Sequence, residues 1–278
     1  MSLNNFNLSS IRKYFPIEDD YPPALTIGLV VFLTFIYILS FFTPINEAIY
    51  LTPTALTQLD LNRISLYPLG HLSIFHLVFN LFAIVTPLSL FEKKHGTVYT
   101  GVILNLLAVA TAVLYSILGL VFYPNAKVVG ASAWVFSFSG FFAYKESLIK
   151  PTFQISPSYS LPTVATPLIP LVLIAILVPG SSLLGHLFGL VAGYALAYGL
   201  LNILVPPSKV IEWIEEKVDK LISLIPSQFK YYKEIDAKFN RSQDEYVSFL
   251  QTDILPTTNE PESNHAGSFQ GEGQVLGA

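Results

Sequence analysis

The chain contains no cysteine, which excludes disulfide bonds and any metal site built on cysteine ligands. Charged residues are also scarce: Asp, Glu, Lys and Arg make up 12% of the 278 residues, whereas 52% are hydrophobic. An ordinary soluble domain carries about 25% charged residues, so this composition indicates a protein whose main solvent is a lipid bilayer. The net charge of −4 offers no basic surface, and we therefore expect no nucleic-acid partner.

Charge is scarcest between residues 24 and 205, and this middle part contains six apolar segments. A membrane-spanning helix needs about 20 apolar residues, because lipid cannot satisfy backbone N–H and C=O groups outside a helix. The sequence therefore predicts an all-α polytopic membrane domain over residues 24–205, whose first helix is retained because no cleavage site follows it. The six predicted spans are 24–42, 72–91, 98–122, 132–144, 163–178 and 183–205, of which the fourth and fifth are short.

Basic residues cluster on one side of the predicted membrane domain, and this asymmetry indicates its orientation. The residues on the predicted cytosolic side are Arg12, Lys13, Lys93, Lys94, Lys145 and Lys150. Only Arg63 and Lys127 lie on the other side. The N-terminal segment 1–23 and the C-terminal tail 206–278 are therefore both predicted to be cytosolic. The longest outer connection, residues 43–70, is apolar enough to lie on or partly in the membrane.

The tail changes character after Pro206 and Pro207, which end the last predicted span. Residues 210–225 carry apolar and charged residues at helical spacing, which predicts an amphipathic helix at the membrane interface. Beyond Tyr246 the tail is rich in Pro, Thr, Asn, Glu and Gly. That composition has too little apolar surface to fold alone, and we expect this end to be disordered.

His76 and Asn80 are polar residues inside the second predicted span, where such residues usually mark function. They are four residues apart, so they lie one turn above the other on the same helix face. Both side chains carry hydrogen-bond donors, which suits a surface that stabilises an anion. The alternative is that the pair joins two helices by interhelical hydrogen bonds, and these residues alone do not decide between the two interpretations.

Ser132 falls at the predicted start of the fourth span. The first turn of a helix leaves backbone N–H groups without intrahelical partners, and the helix dipole favours negative charge there. Gly130, two residues earlier, has no side chain and allows a substrate backbone to come close. Serines also occur in membrane helices as small packing residues, which is our interpretation of Ser137 and Ser139. Its position at the helix start makes Ser132 the candidate nucleophile.

His186 lies near the outer end of the last predicted span, on the same side of the bilayer as Ser132. Gly185, Gly189 and Gly193 recur every four residues, a pattern that permits close contact between helices. Such contact would bring His186 within hydrogen-bonding distance of Ser132. Because no acidic residue lies within a span to orient the histidine, we expect a Ser-His dyad that retains the proton-transfer logic of serine hydrolysis.

Three motifs in this order resemble the signature of the rhomboid intramembrane serine proteases. They are HLSIFHLVFN, GAS and HLFGLVAG, which contain His71, His76, Asn80, Gly130, Ser132, His186, Gly189 and Gly193. The resemblance covers about residues 24–205 and includes Arg63 in the outer connection and the run EKKHG at 92–96. Two positions depart from it: Phe136 stands where rhomboids commonly have tyrosine, and Asn62 stands where many have tryptophan.

The resemblance implies a six-helix rhomboid fold and specific roles for these residues. Ser132 would attack the scissile peptide, His186 would carry the proton, and His76, Asn80 and the Ser132 N–H would hold the oxyanion. His71, Gly130, Phe136, Gly189 and Gly193 would support the site. The implied substrates are single-span membrane proteins whose helices are locally unstable at the top, cleaved without a metal or other cofactor. The short form is similar to small fungal rhomboids of the Golgi, which implies a Golgi membrane location.

The end of the tail carries a second resemblance. The run FQGEGQVLG at 269–277 resembles the SHP box, F-x-G-x-G-x-x-L, which binds the ubiquitin-selective AAA ATPase known as valosin-containing protein. Phe269 and Leu276 would be the anchors, while Gly271 and Gly273 would let the backbone extend along the partner. The alternative is a chance match by a glycine-rich terminus.

Two other functions stay open at this point. A rhomboid pseudoprotease of the derlin kind hands membrane proteins over for degradation and also carries SHP boxes, but such proteins lack the Ser-His dyad. A transporter or channel is disfavoured because no span carries a carboxylate and the polar groups cluster at one depth.

Overall fold

The computed structural model describes residues 21–156, 158–178 and 180–242, which are mostly helical. The helices in chain order are α1 (Ala24–Leu39), α2 (Ile45–Ile49), α3 (Thr54–Thr57), α4 (Leu61–Leu66), α5 (Ile74–His95), α6 (Thr97–Phe122), α7 (Ser132–Ser147), α8 (Leu168–Leu177), α9 (Leu183–Ala197), α10 (Ser208–Lys217), α11 (Asp219–Ile222) and α12 (Glu234–Ser242). Short 3-10 turns occupy Tyr67–Leu69, Thr163–Ala165 and Asn202–Leu204. The tail motif with Phe269, Gly271, Gly273 and Leu276 lies outside the described residues.

Each of the six predicted spans overlaps one of the helices α1, α5, α6, α7, α8 and α9. By length and hydropathy, α5 and α6 are long and apolar enough to cross a bilayer, whereas α1, α8 and α9 are apolar but shorter. Helix α5 leaves Phe75 and Phe79 largely exposed while burying Leu77 and Ile84. Large exposed apolar side chains suit a lipid solvent. The count of six membrane crossings stays a prediction.

The helix in the sixth predicted span, 183–205, ends before the span does. Helix α9 ends at Ala197, and Gly199 adopts a left-handed φ of 82°, a conformation that glycine reaches without strain. The Leu200 N–H then donates to the Ala195 carbonyl at 2.9 Å, as in a glycine-terminated helix end. The chain continues as an irregular segment and the 3-10 turn Asn202–Leu204.

The all-α prediction missed a small antiparallel hairpin between α7 and α8. Strand β1 (Thr152–Ser156) pairs with β2 (Tyr159–Pro162), with Phe153 opposite Leu161. Helix α8 follows as the shortest of the six apolar helices, and Pro167 immediately precedes it. Proline is tolerated there because the first helical N–H groups have no intrahelical partner.

The core of the bundle lies among α5, α6, α7 and α9. Helices α7 and α9 make the closest contact: a Cβ added to Gly193 would lie 1.9 Å from the Ser137 carbonyl oxygen. The Ser137 hydroxyl donates to the carbonyls of Ala133 and Gly189, so it ties the two helices together. Trp134 anchors α7 to α6 through an Nε1–H bond of 2.8 Å to the Leu104 carbonyl. We call the end that carries His76, Ser132 and His186 the site end, and the end that carries Glu92 and Gly96 the opposite end.

The predicted amphipathic helix at 210–225 differs from the structure in two ways. It is divided at Val218 into α10 and α11, and Ile211 and Glu215 on one side of it are buried against protein. Residues 206–242, which we call the clasp, fold back onto the opposite end. The Ala24 N–H donates to the Lys230 carbonyl, and Thr97 exchanges hydrogen bonds with Tyr232. Long-range backbone contacts, which no local pattern encodes, decide this arrangement.

Candidate active site

Ser132 is the first residue of α7. Its backbone N–H therefore points out of the helix start, where the intrahelical hydrogen-bond ladder has not yet begun. Gly130, two residues before, has a φ of 128°, which strongly favours glycine. A Cβ on Gly130 would also lie 2.5 Å from the His76 ring. The glycine is required by both its backbone conformation and the space it leaves for His76.

His186 lies in the first turn of α9, a helix whose start is capped by the Ser182 hydroxyl, which accepts from the Gly185 N–H at 3.0 Å. The His186 Nε2 atom is 2.9 Å from the Ser132 Oγ atom. Its ring stacks on the Phe136 ring, with centroids 4.7 Å apart and planes at 27°. The other ring nitrogen, Nδ1, is buried and has no hydrogen-bond partner within the described structure.

Small residues allow α7 and α9 to come close enough for this pair to meet. A Cβ on Gly189 would lie 2.5 Å from the Ala133 carbonyl oxygen, and one on Gly140 would lie 2.7 Å from the Leu190 carbonyl oxygen. Together with Gly193, these glycines line the contact on both helices. Gly185 differs from the predicted pattern, because its nearest neighbour is the capping residue Ser182.

His76 and Asn80 lie on the face of α5 that meets the loop before Ser132. The Ser73 hydroxyl caps α5 by accepting from the His76 N–H at 3.2 Å. The Asn80 Nδ2 atom lies 3.7 Å from the position that a Gly130 Cβ would take. This amide nitrogen is buried and has no acceptor among the described residues, so its donors are available to a bound molecule.

His71 is fully buried beside the same loop. Its Nδ1 atom lies 3.4 Å from the Leu69 carbonyl, and its Nε2 atom accepts a long hydrogen bond of 3.5 Å from the Ala131 N–H. Both contacts are satisfied by one tautomer, with the proton on Nδ1. His71 therefore supports the residue immediately before Ser132 without reaching the serine itself.

The outer connection 43–70 holds the loop before Ser132 through its backbone. Leu51 and Val128 exchange two hydrogen bonds of 2.8 and 2.9 Å, and the Gly130 N–H donates to the Tyr67 carbonyl at 2.9 Å. The Tyr67 side chain is buried, and its hydroxyl donates to the Ala108 carbonyl of α6. Sequence reasoning missed these contacts, since main-chain pairing at an isolated bridge leaves no residue pattern.

Arg63 stabilises the outer connection from within. Its guanidinium lies 3.0 Å from the Asp60 carboxylate and donates to the Tyr50 carbonyl at 2.9 Å. The Lys127 ammonium lies 4.4 Å from the centroid of the Tyr50 ring. Arg63 therefore holds the Tyr50 carbonyl one residue before Leu51, which pairs with Val128 in the loop that leads to Ser132.

The comparisons with known proteins identify the family of this chain. The sequence model of the Rhomboid domain family matches residues 58–203. This range includes the helices that carry Ser132, His186, His76 and Asn80. The Rhomboid-type serine protease 2 of Saccharomyces cerevisiae is 48% identical over 253 residues, covering 89% of this chain and 95% of the relative. The Rhomboid-type serine protease 2 of Eremothecium gossypii is 46% identical, covering 92% of this chain and 95% of the relative. That of Kluyveromyces lactis is 42% identical, covering 96% of this chain and 99% of the relative. The chain therefore belongs to the rhomboid family of membrane-embedded serine proteases.

Proposed function

We propose that this rhomboid protease cleaves transmembrane segments of membrane proteins with a dyad of Ser132 and His186. The observation that carries the proposal is the 2.9 Å contact between the Ser132 Oγ and His186 Nε2 atoms. A serine hydroxyl is a weak nucleophile unless a neighbouring base takes its proton. A neutral imidazole at this distance is the base that serine hydrolysis requires.

The proposed reaction begins with attack of the Ser132 oxygen on the scissile carbonyl carbon, while His186 Nε2 takes the hydroxyl proton. The tetrahedral intermediate carries its negative charge on the former carbonyl oxygen. His186 then gives the proton to the leaving amine as the C–N bond breaks, which leaves an acyl ester on Ser132. Water, deprotonated by His186, hydrolyses that ester and restores the serine.

The oxyanion is proposed to be stabilised by the Ser132 N–H together with Asn80 and His76. Two features support this assignment: the free position of the Ser132 N–H at the start of α7 and the buried, unpaired Asn80 amide beside Gly130. Donors that face a developing charge in a site protected from bulk water stabilise it strongly. Phe136 is proposed to hold the His186 ring by stacking, in place of an orienting carboxylate.

We further propose a six-span topology with both termini in the cytosol and a Golgi membrane location. The distribution of basic residues supports the orientation, and the resemblance to short fungal rhomboids supports the location. Under this topology the site end faces the non-cytosolic side.

The tail motif is proposed to recruit an AAA ATPase of the valosin-containing-protein type. The support is the match of Phe269, Gly271, Gly273 and Leu276 to the SHP pattern. Pull-down of the ATPase with the full-length protein is expected to be lost in Phe269→Ala and kept in Gln270→Ala. Equal binding by both variants would reject the assignment.

A fluorophosphonate probe tests the dyad directly on the protein purified in detergent. We expect labelling at Ser132, and loss of both labelling and cleavage of a helix-destabilised reporter in Ser132→Ala and His186→Ala. Ser139→Ala is the matched control, because this serine donates only to a carbonyl of its own helix. Unchanged cleavage in both dyad variants would reject the proposal, and transport of membrane proteins without cleavage would favour the pseudoprotease alternative.

A further inference from the structure

The clasp has an apolar face that no described part of the protein covers. Val218 ends α10 by donating to the Ile214 carbonyl and begins α11 by accepting from the Ile222 N–H. Helical spacing therefore groups Val210 with Trp213 in α10, and Leu221 with Leu224 in α11 and its following turn. One stripe is apolar and exposed: Val210, Trp213, Leu221 and Leu224, with Trp213 57% and Leu224 76% exposed. Lys217 lies within the same stripe.

A second stripe of this segment packs against the rest of the protein. It contains Ile211, which is fully buried, and Glu215. The Glu215 carboxylate accepts from the Glu234 N–H at 3.0 Å and from the Tyr231 hydroxyl at 2.9 Å. Burial and the neighbouring Glu215 carboxylate raise the pKa of the Tyr231 phenol, so this hydroxyl stays a donor at neutral pH. The orientation of the segment about its axis is therefore set by protein contacts.

The third stripe is charged and contains Glu212, Glu216 and Asp219. Glu212 pairs with Lys238 at 2.5 Å and Asp219 with Lys233 at 3.4 Å. Polar residues on this side suit contact with water, whereas the exposed apolar stripe between it and the protein needs an apolar medium. The three stripes therefore suit three different surroundings: the first an apolar medium, the second the protein interior and the third water.

Exposed apolar side chains also lie just before the clasp in the chain. Ile203 and Leu204, only a few residues before α10, are 89% and 62% exposed. Pro206 and Pro207 separate them from Ser208, where α10 begins. The chain therefore enters the clasp directly from an exposed apolar segment. The Lys217 ammonium lies 6.0 Å from the centroid of the Trp213 ring. An aromatic ring beside a cation suits the headgroup region of a membrane.

We propose that the clasp binds the phospholipid surface at the opposite end through Val210, Trp213, Leu221 and Leu224. The apolar side chains enter the boundary between headgroups and acyl chains, and the Lys217 ammonium meets the lipid phosphates. The sequence alone predicts an interfacial helix, but it does not tell which apolar stripe is free to meet lipid. The contacts of Ile211 and Glu215 with the protein decide that question.

The absence of native cysteine makes this proposal testable by single-site spin labelling of the full-length chain. Nitroxides are attached at Leu221→Cys and Leu224→Cys on the exposed stripe, and at Glu216→Cys and Ser223→Cys on the charged side. In phosphatidylcholine nanodiscs, power-saturation measurements with oxygen and a water-soluble nickel chelate report the depth of each label. We expect the first pair to be accessible to oxygen and protected from the chelate, and the second pair to show the reverse.

Charge reversal at neighbouring positions tests the role of Lys217. Lys217→Glu is expected to shift the Leu221 label toward water by placing a carboxylate among the lipid phosphates. Glu216→Lys is the matched control on the water side and is expected to leave the label depth unchanged. If the labels at 221 and 224 meet the chelate as readily as that at 223, the face is open to a soluble protein partner and the lipid proposal is wrong. An unchanged depth in Lys217→Glu would reject the phosphate contact.

Discussion

Glu92, at the opposite end of the bundle, is fully buried, and its carboxylate accepts four hydrogen bonds. The donors are the N–H groups of Leu25 and Thr26 and the hydroxyls of Thr26 and Thr97. At the site end, by contrast, Asn80 Nδ2 and His186 Nδ1 are buried without a hydrogen-bond partner in the part of the chain that the structure describes. The buried carboxylate of Glu92 is thus fully paired, whereas the buried Asn80 amide nitrogen and the His186 Nδ1 atom are not.

The difference in hydrogen bonding indicates that the opposite end stabilises the fold, whereas the site end serves catalysis. A buried polar group without a partner costs about 1–3 kcal/mol, so the polar residues of the site end lower the stability of the fold. The carboxylate of Glu92 does the reverse, because it caps the start of α1 and ties that helix to the start of α6. The comparison predicts that variants at the site end change turnover, whereas variants at the opposite end change stability.

The largest effect is expected for Asn80→Ala. Removal of this proposed oxyanion donor is expected to lower kcat by about 10²–10³-fold, while the thermal unfolding temperature stays unchanged or rises because an unpaired buried amide is lost. Reporter cleavage and thermal unfolding of the purified protein measure the two quantities. Asn80→Asp keeps the shape but supplies no amide donor, and it is expected to be impaired as well. Wild-type kcat in both variants would show that Asn80 does not serve the oxyanion.

Gly193→Ala tests the contact between α7 and α9 on which the proposed dyad depends. The new Cβ would lie 1.9 Å from the Ser137 carbonyl oxygen, so the helices must separate, at a cost of about 3 kcal/mol. We expect a lower unfolding temperature together with lower activity. Gly28→Ala is the control, since nothing lies within 4 Å of its Cβ position, and it is expected to stabilise α1 by about 0.5–1 kcal/mol. Equal unfolding temperatures for the two variants would contradict this packing.

Glu92→Gln is expected to lower the free energy of unfolding by about 1–2 kcal/mol, because neutral acceptors form weaker hydrogen bonds than a carboxylate. The turnover of the protein that remains folded should be unchanged, as Glu92 is at the end away from Ser132. Cleavage normalised to fluorophosphonate labelling gives this quantity. A loss of turnover per labelled molecule would show that the two ends are coupled. It would contradict the prediction that variants at the opposite end change only stability.

The smallest effect is expected for Phe136→Leu, which keeps an apolar side chain but removes the ring beneath His186. Stacked rings contribute about 0.5–1.5 kcal/mol beyond the area that they bury, so kcat should fall by about tenfold or less, with KM unchanged. Phe136→Tyr retains the stack and is the comparison variant. An equal fall of kcat in both would assign the effect to packing volume, against a role of the ring in positioning His186.

Much of the site was predictable because its residues stand out in an apolar sequence. His76, Asn80 and His186 are rare polar residues within predicted spans, and the spacing of Gly189 and Gly193 indicated a close helix contact, which the structure forms against Ala133 and Ser137. The ends of α9 and the hairpin β1–β2 were harder, since a hydropathy pattern shows how long an apolar run is and not where its backbone leaves the helix. The bridge between Leu51 and Val128 left no sequence signal at all.

The sequence by itself determined that this chain is a helical membrane protein with a serine, a histidine and an asparagine at corresponding helix ends. Hydrophobic runs and rare polar residues are local properties, and the cost of placing a polar group in lipid makes them informative. Only the tertiary structure decided that His186 Nε2 reaches the Ser132 Oγ atom, that Gly185 faces its own helix cap, and that the clasp uses Ile211 against protein and leaves Trp213 exposed. Those outcomes depend on which helices pack together, because distances between residues far apart in the chain are set by packing and not by local pattern.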